Sequence, residues 1–348
     1  MPTLPGKHLT VERTLLQERL ISVIRRFPQR RILVVGDSVA DQFIYGAISR
    51  VSREAPVFIL RHEHTETTPG GAANCAMNLA SLGASVALIS VVGEDEAGHA
   101  LIEKLNSAGV DCAGVLKRPG IKTTTKVRIL AGQLHSTRQQ VIRIDYEGNR
   151  ASDGETRKLL NARTLEQAQN IDAIIISDYN YGVADGEMSA VIAQVTRSRN
   201  TPVLVDSRFH LANFPGFTSA TPNEEEVEHV YGKEIPDVGE LESAGEQMRE
   251  RLGYRALLVT QGGLGMVLFE AGVAPLRIDA IGAREPVDVT GAGDTVTAAY
   301  ALALASDASF PDAARLANYA GGLVVMKRGT ATITPDDLEH SILYSELT

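Results

Sequence analysis

Short, mainly apolar runs recur between longer stretches with helical spacing, and this alternation limits the fold more than any other feature. The runs 31–36, 86–92, 173–177, 203–206 and 257–260, of which Arg31-Ile-Leu-Val-Val-Gly36 is the first, show little polar alternation. A strand made from such a run is buried on both faces. Helix-like stretches at 71–82, 97–108 and 187–197 lie between them. Together they imply βαβ units, hence a doubly wound α/β fold whose mostly parallel sheet carries helices on both faces. Ahead of the first strand, Leu15, Leu16, Leu20, Ile21, Val23 and Ile24 recur at helical spacing before Arg25, Arg26 and Pro28. Residues 1–30 therefore read as an N-terminal helix with a basic last turn and a proline stop. Residues 31–340 read as one domain.

Two stretches, 43–61 and 122–146, break the rhythm and read as antiparallel β. Val127 and Ile129 alternate with Lys126 and Arg128, and Ile142 and Ile144 with Arg143 and Asp145. One face is apolar, the other polar and mainly basic. A small sheet of this kind fits a lid over a site that receives an anion; it equally fits a solvated outer face on a dimerisation sheet.

Charge narrows the function. Asp plus Glu number 43 against 34 Lys plus Arg, a net charge of −9, which is not the electrostatic footprint of a nucleic-acid binder and would be repelled by an anionic membrane. No apolar run approaches the roughly 18 residues of a membrane span, and the first ten residues do not resemble a signal peptide. A cytoplasmic location is expected. The two cysteines, Cys75 and Cys112, form no CxxC pair, so neither a disulfide framework nor a thiolate zinc site is expected.

The most informative segment is Asp288-Val-Thr-Gly-Ala-Gly-Asp294, followed by Thr295-Val-Thr-Ala-Ala-Tyr300. Small residues before a run of helix formers let the amides of Gly291, Ala292 and Gly293 point into open space and bind phosphate. Asp294, beside them, reads either as a base for a substrate hydroxyl or as a helix cap. A second Gly-rich element, Pro69-Gly-Gly-Ala-Ala-Asn74, precedes a helix expected from Cys75 to Leu82. Gly70 and Gly71 permit close approach of a ligand, and Asn74 offers a donor and an acceptor. Asp37 and Asp41 follow the first strand, where open α/β sheets hold their ligands; either could instead serve a turn or a cap. The chain has no G-x-x-x-x-G-K-[ST], no G-x-G-x-x-G after the first strand and no G-x-S-x-G. His62-x-His64 with Glu66 nearby is a weak metal pattern.

In this order, the two glycine segments resemble both signatures of the ribokinase-like (PfkB) carbohydrate kinases. The first runs from Gly70, Gly71 and Asn74 through Gly83 to Gly93, and the second from Asp288 to Ala299. Asn223-Glu-Glu-Glu226 resembles the family's N-x-x-E, and Thr260-Gln-Gly262 through Gly265 its nucleotide-binding turn. Within the family the chain looks similar to bacterial D-glycero-β-D-manno-heptose-7-phosphate kinases, through Gly36 to Asp41, Ser52 to Val57, Gly70 to Asn78, Arg138 to Asp145 and Ser177-Asp-Tyr179. Many such relatives carry a C-terminal adenylyltransferase domain with an H-x-G-H motif. The chain ends at Thr348 without one, so the stand-alone kinase form is expected.

The resemblance implies a ribokinase-like kinase domain over 31–340 with a β-sheet lid. It implies phosphoryl transfer from ATP with Mg²⁺ to O1 of the heptose 7-phosphate, a step toward ADP-heptose and lipopolysaccharide core; the alternatives are a kinase of the same family for fructose, ribose or a hexose phosphate, and a catalytically silent sugar or nucleotide sensor. Asp294 would be the catalytic base, with Gly291, Ala292 and Gly293 as the anion hole. Asp41, Gly70, Gly71 and Asn74 would hold the sugar. Asn223 and Glu226 would organise Mg²⁺ and the phosphates, with Glu226 as the metal ligand. Thr260, Gly262 and Gly265 would wall the nucleotide, and Asn318 would flank adenine. Arg208, in Asp206-Ser-Arg208, stands where the family more often has lysine, and its phosphate contact is expected to differ. For the 7-phosphate the expected counter-charges are Arg143 first and Lys126 second, with Arg128 and Arg53 as further candidates; an ion pair of Arg143 with Asp145 or Glu147 is the alternative. A homodimer through the lid and a K⁺ ion near Asp288, Thr290 and Gly329 complete the expectation.

Overall fold

The computed structural model describes residues 5–132, 138–148, 153–197, 199–282 and 285–344. Helix α1 (Pro5–Ile24) precedes strand β1 (Arg31–Gly36), which leads into a long ribbon of β2 (Ser38–Val51) and β3 (Phe58–Gly71). The chain continues through α2 (Ala72–Ser81), β4 (Ser85–Gly93), α3 (Glu96–Ser107) and β5 (Val115–Arg118), then returns to the ribbon as β6 (Thr125–Gly132) and β7 (Gln139–Tyr146). Next come α4 (Gly154–Gln167), β8 (Ala173–Asp178), α5 (Gly186–Thr196), β9 (Val203–Ser207) and the short β10 (Ser219–Ala220). Helices α6 (Glu224–Tyr231) and α7 (Val238–Leu252) lead to β11 (Ala256–Thr260), β12 (Met266–Glu270) and β13 (Leu276–Ile278). The last elements are α8 (Ala292–Ala305), α9 (Phe310–Val324) and α10 (Pro335–Tyr344).

Nine strands form the main sheet, in the order β13-β12-β11-β10-β9-β8-β1-β4-β5. All pair in parallel except β12 and β13, which fold back antiparallel. The apolar runs are explained by cover on both sides. Ile32 and Val34 enter a core with Leu79, Tyr300 and Leu316 on one face, while Leu33 and Val35 meet Ile192, Phe214 and Phe269 on the other. Strand order spreads from β1 in both directions, which opens a crevice at the carboxyl ends of the central strands.

The lid is a four-stranded sheet, β3-β2-β6-β7. It differs from the expectation of purely antiparallel pairing: β2 and β6 meet in parallel, joining two antiparallel ribbons. The reason lies in the main sheet. Parallel strands β1 and β5 deliver the chain into the lid twice in the same direction. The first lid stretch is longer than 43–61, since β2 starts at Ser38 and β3 runs to Gly71, with Val39 opposite Gly70, whereas the second starts at Thr125 rather than at 122. The first glycine segment is thus the end of a strand, and α2 begins at Ala72 rather than Cys75. The sequence pattern places the connection between the last two strands at Ala131 to Gln140; β6 runs on to Gly132 and β7 starts at Gln139, and residues 133–137 lie outside the described residues. Alternation sets the faces: Asp41 pairs with Lys126 and Phe43 with Arg128, and this polar face looks onto the crevice, while Val127 turns away and is buried.

Candidate active site

The site begins where α8 begins. Gly291 is its N-cap at φ 76°, and Asp294 sits in the first turn with no capping bond from the Gly291 position. Instead the Asp294 side chain turns inward and is only 3% exposed. Its Oδ2 accepts from Asn74 Nδ2 at 2.8 Å, and its Oδ1 accepts from the Tyr179 hydroxyl at 2.8 Å. Burial pushes this carboxyl up to about 6, against the two donors that favour its charged form. Near neutral pH such a group is ionised yet still takes up a proton readily, the property a general base needs.

The open amides differ in one member from those expected to bind an anion. The amide of Ala292 turns back to Val289 O at 3.2 Å. Among the described residues, the amides without a partner here are those of Gly291, Gly293 and Asp294 itself. They open, with the positive end of the helix dipole, into a cleft of about 380 Å³.

The lid forms one wall of this cleft. Asp41, Lys126 and Arg128 line it, with Arg128 paired to the Asp41 carboxylate. Lys126 holds its Nζ 5.7 Å from the Tyr179 ring centroid, and burial, with help from Arg208, lowers its affinity for the proton. Arg208 covers the same ring, its Cζ at 5.2 Å. Gly71 also lines the cleft. Gly70 lies behind it, packed so close to Asp41 that a Cβ would fall 2.3 Å from Oδ2.

The far end is acidic. Asp206, Asn223, Glu226 and Thr260 line it, with Thr221 beside them. Asn223 and Glu226 form a reciprocal capping box at the start of α6: the Glu226 amide donates to Asn223 Oδ1 at 2.8 Å, and the Asn223 amide donates to Glu226 Oε2 at 2.9 Å. The N-x-x-E spacing is therefore first a helix start. Glu226 Oε1 stays available, and burial pushes its carboxyl up to about 7. Asp206 is pushed well above the carboxylate range by burial and then by Glu226. Two carboxylates that line the same cleft, with the Glu226 charge raising the affinity of Asp206 for a proton, are hard oxygen donors of the kind Mg²⁺ takes, and the residues present fit that ion.

Several expected residues stand elsewhere. Asn74, expected to hold a sugar, is 1% exposed, with its Nδ2 committed to Asp294 and its Oδ1 accepting from Asn78 Nδ2 at 3.2 Å; it orients the carboxylate. Arg143 lies on the edge strand β7 opposite Arg128, on the polar face but outside the cleft, and its Nε meets Asp145 at 3.0 Å. The ion-pair alternative is the arrangement observed. Arg53 is exposed, also away from the cleft. Asn318 is buried and donates to Asp279 O at 2.7 Å, so it ties α9 to the loop after β13 rather than facing a base. Gly262 and Gly265 form the turn beyond Thr260, where Gly265, at φ 101°, accommodates the Ile278 carbonyl. Asp37 is buried, accepts from three backbone amides and is not among the residues that line the cleft. Asp288 accepts from the amides of Thr290 and Gly329, each at 2.9 Å, and these hydrogen bonds hold its carboxyl below its usual range despite burial. No group of three or more metal-ligating side chains occurs among the described residues, His62 and His64 included.

Sequence reasoning gave no role to Tyr179 or Asp206. Both follow or end central strands, β8 and β9, and the rule that ligands collect at strand carboxyl ends would have found them had it been applied beyond β1.

A buried carboxylate beside free helix-start amides, with a basic lid opposite and an acidic floor, is the apparatus of a phosphotransferase. The model of the pfkB family carbohydrate kinases matches residues 29–337, and the chain belongs to that family. It is 38% identical over 317 residues to the bifunctional protein HldE of Desulfatibacillum aliphaticivorans, an alignment covering 91% of this chain and 64% of that one. The chain thus spans just under two thirds of the length of that relative. Among solved structures, it is similar to Arabidopsis thaliana ribokinase complexed with ribose and ATP, at a TM-score of 0.67 and 23% identity over 90% of this chain and 97% of that one. It also resembles Escherichia coli phosphofructokinase-2 in complex with potassium, at a TM-score of 0.72 and 19% identity over 90% and 98%. These likenesses establish a ribokinase-like fold. No helix among the described residues is long and apolar enough to cross a membrane.

Proposed function

We propose that this carbohydrate kinase transfers the γ-phosphoryl group of ATP to the anomeric hydroxyl of D-glycero-β-D-manno-heptose 7-phosphate, giving the 1,7-bisphosphate and ADP. The observation that carries the chemistry is Asp294, buried, doubly oriented and beside open amides. Its carboxylate accepts the O1 proton while O1 attacks the γ-phosphorus in line with the departing ADP oxygen. The amides of Gly291, Gly293 and Asp294 meet the charge on the group in transit. Mg²⁺, held by Glu226 and Asp206, would neutralise phosphate charge. Arg208 and Thr260 belong to the nucleotide side, and the Gly262–Gly265 turn borders it.

The heptose reading rests on the resembling segments Gly36 to Asp41, Gly70 to Asn78 and Ser177 to Tyr179, which contribute Asp41, Gly71 and Tyr179 to the cleft, and on the likeness to HldE. The 7-phosphate requires a cation remote from O1. Lys126 and Arg128, on the lid side of the cleft, are the residues assigned to it, ahead of Arg143. A coupled ADP-release assay with Mg-ATP tests the substrate across heptose 7-phosphate, sedoheptulose 7-phosphate, fructose 6-phosphate, fructose and ribose. Turnover confined to heptose 7-phosphate supports the reading. A preference for another sugar overturns the substrate and leaves the chemistry, whereas ATP binding without turnover on any sugar of the panel brings the silent-sensor alternative to the front.

The outer, apolar face of the lid supports a homodimer. Ile142, Ile144 and Tyr146 expose 54%, 41% and 52% of their surface on β7, and a second lid would cover them. Light scattering behind size exclusion tests this, and stimulation of turnover by KCl tests the proposed K⁺.

A further inference from the structure

Tyr179 lines the cleft, and the transfer described above gives it no task beyond its contact with Asp294. Its hydroxyl donates to Asp294 Oδ1 at 2.8 Å, and its ring lies against Lys126 and Arg208. The residue follows β8 directly, in a loop without secondary structure of its own. One side chain gathers that loop. Asp37, 1% exposed, accepts from the amides of Tyr179, Tyr181 and Val183, each at 2.9 Å. A carboxylate has about four acceptor positions and takes all three donors, whereas an amide oxygen takes two. Gly71 supplies the space: a Cβ there would lie 3.4 Å from the Tyr179 ring and 2.6 Å from the Asp37 carbonyl.

We infer that Tyr179 is a positioning residue for the base, its hydroxyl fixing the Asp294 carboxylate and favouring its ionised form, with Asp37 holding Tyr179 in place through the loop amides. The inference rests on the reading of Asp294 as base. Burial and the Asp294 charge keep the phenol protonated, so it meets the carboxylate only as a donor. Such a donor stabilises the charged carboxylate. The other charged or titratable groups that bear on Asp294 are Asp41 and Asp206, which oppose its ionisation, Arg208, which favours it, and Cys75, which burial keeps neutral. Asn74 is the second donor in contact. Oδ1 keeps a further lone pair for the substrate hydroxyl.

The test is the pH profile of kcat for wild type and Tyr179→Phe, at saturating Mg-ATP and the sugar phosphate identified by the panel. Substrate phosphates titrate near pH 6 as well, but equally for both proteins, so a displacement between the curves belongs to the enzyme. Removing the phenol hydroxyl is expected to move the acid limb up by about one unit. Turnover then falls about fivefold at pH 6, nearing tenfold toward pH 5, and approaches wild type by pH 9, with KM for ATP unchanged. A lowered plateau with an unmoved limb overturns the inference, because loss of structure alone does not shift a titration. If Tyr179→Phe does not fold, Asp37→Asn serves, which keeps the tyrosine but leaves at least one loop amide without an acceptor; the same upward displacement is expected and its absence is again contrary. Asp294→Asn separates the two levels. If that variant turns over normally, the base reading fails; if it is inactive while the limb stays fixed in Tyr179→Phe, only the inference fails.

Discussion

The missing side chain of Gly291 is what lets Asn74 reach the base. The two residues are 217 positions apart, the Asn74 amide also approaches the Gly291 carbonyl at 3.4 Å, and a Cβ on Gly291 would lie 2.5 Å from Asn74 Nδ2. The glycine also holds a φ of 76°, which other residues adopt only at a cost. The two glycine segments of the sequence therefore meet in one contact.

Gly291→Ala is expected to destabilise the protein by about 1–3 kcal/mol and to lower turnover by about 10²-fold, since even small misplacement of a reacting group is expensive. Thermal unfolding and the ADP-release assay measure the two effects. A variant with wild-type turnover would show that the Asn74 contact is dispensable.

Asp294→Asn removes proton acceptance with little change of shape. Turnover is expected to drop by about 10²–10⁴-fold, while ATP affinity, measured by titration calorimetry, stays within about threefold.

The same substitution is expected to stabilise the unliganded protein. The folded carboxyl titrates at about 6 against an ordinary 3.8. Between those values the folded state keeps a proton the unfolded chain has released, so stability falls as pH rises through the window. Asparagine carries no such penalty. Urea unfolding at pH 8 is expected to show a gain on the order of 1–3 kcal/mol, shrinking toward zero as pH falls to about 4. A gain independent of pH would contradict the assigned titration.

Lys126→Ala and Arg143→Ala are expected to differ. Lys126 lines the cleft, whereas Arg143 is tied to Asp145 at the lid edge. The first should raise KM for the sugar phosphate about 10-fold or more, as loss of a charge-assisted hydrogen bond would, with KM for ATP unmoved. The second should leave both within about twofold. Equal effects would return the phosphate to the edge strand.

How much of this could be read in advance differs between residues for physical reasons. The Asp288–Asp294 segment is legible because small residues before helix formers have few uses, and the apolar runs announce a sheet covered on both faces. Period-2 alternation assigned Lys126, Arg128 and Arg143 to one face correctly. It carries no information on distance from the crevice, and β7 is one of the two edge strands of the lid. Asn74 could be recognised as a polar residue at a helix start, but its partner is 220 positions away, so sugar contact and carboxylate contact look alike. Asn223 and Glu226 illustrate a motif with two meanings, since a capping box has the spacing of the metal motif. Asn318 and Asp37 are polar groups serving the backbone, which only the packed chain reveals.

The most direct measurement is ³¹P NMR of the product formed from Mg-ATP and D-glycero-β-D-manno-heptose 7-phosphate. Wild type is expected to give a second sugar phosphate resonance, coupled to the anomeric proton, with stoichiometric ADP and no free phosphate, and Asp294→Asn to give none in the same time. A phosphate at another carbon, hydrolysis of ATP without a new sugar resonance, or an unchanged product from Asp294→Asn would contradict phosphoryl transfer to O1 by this base.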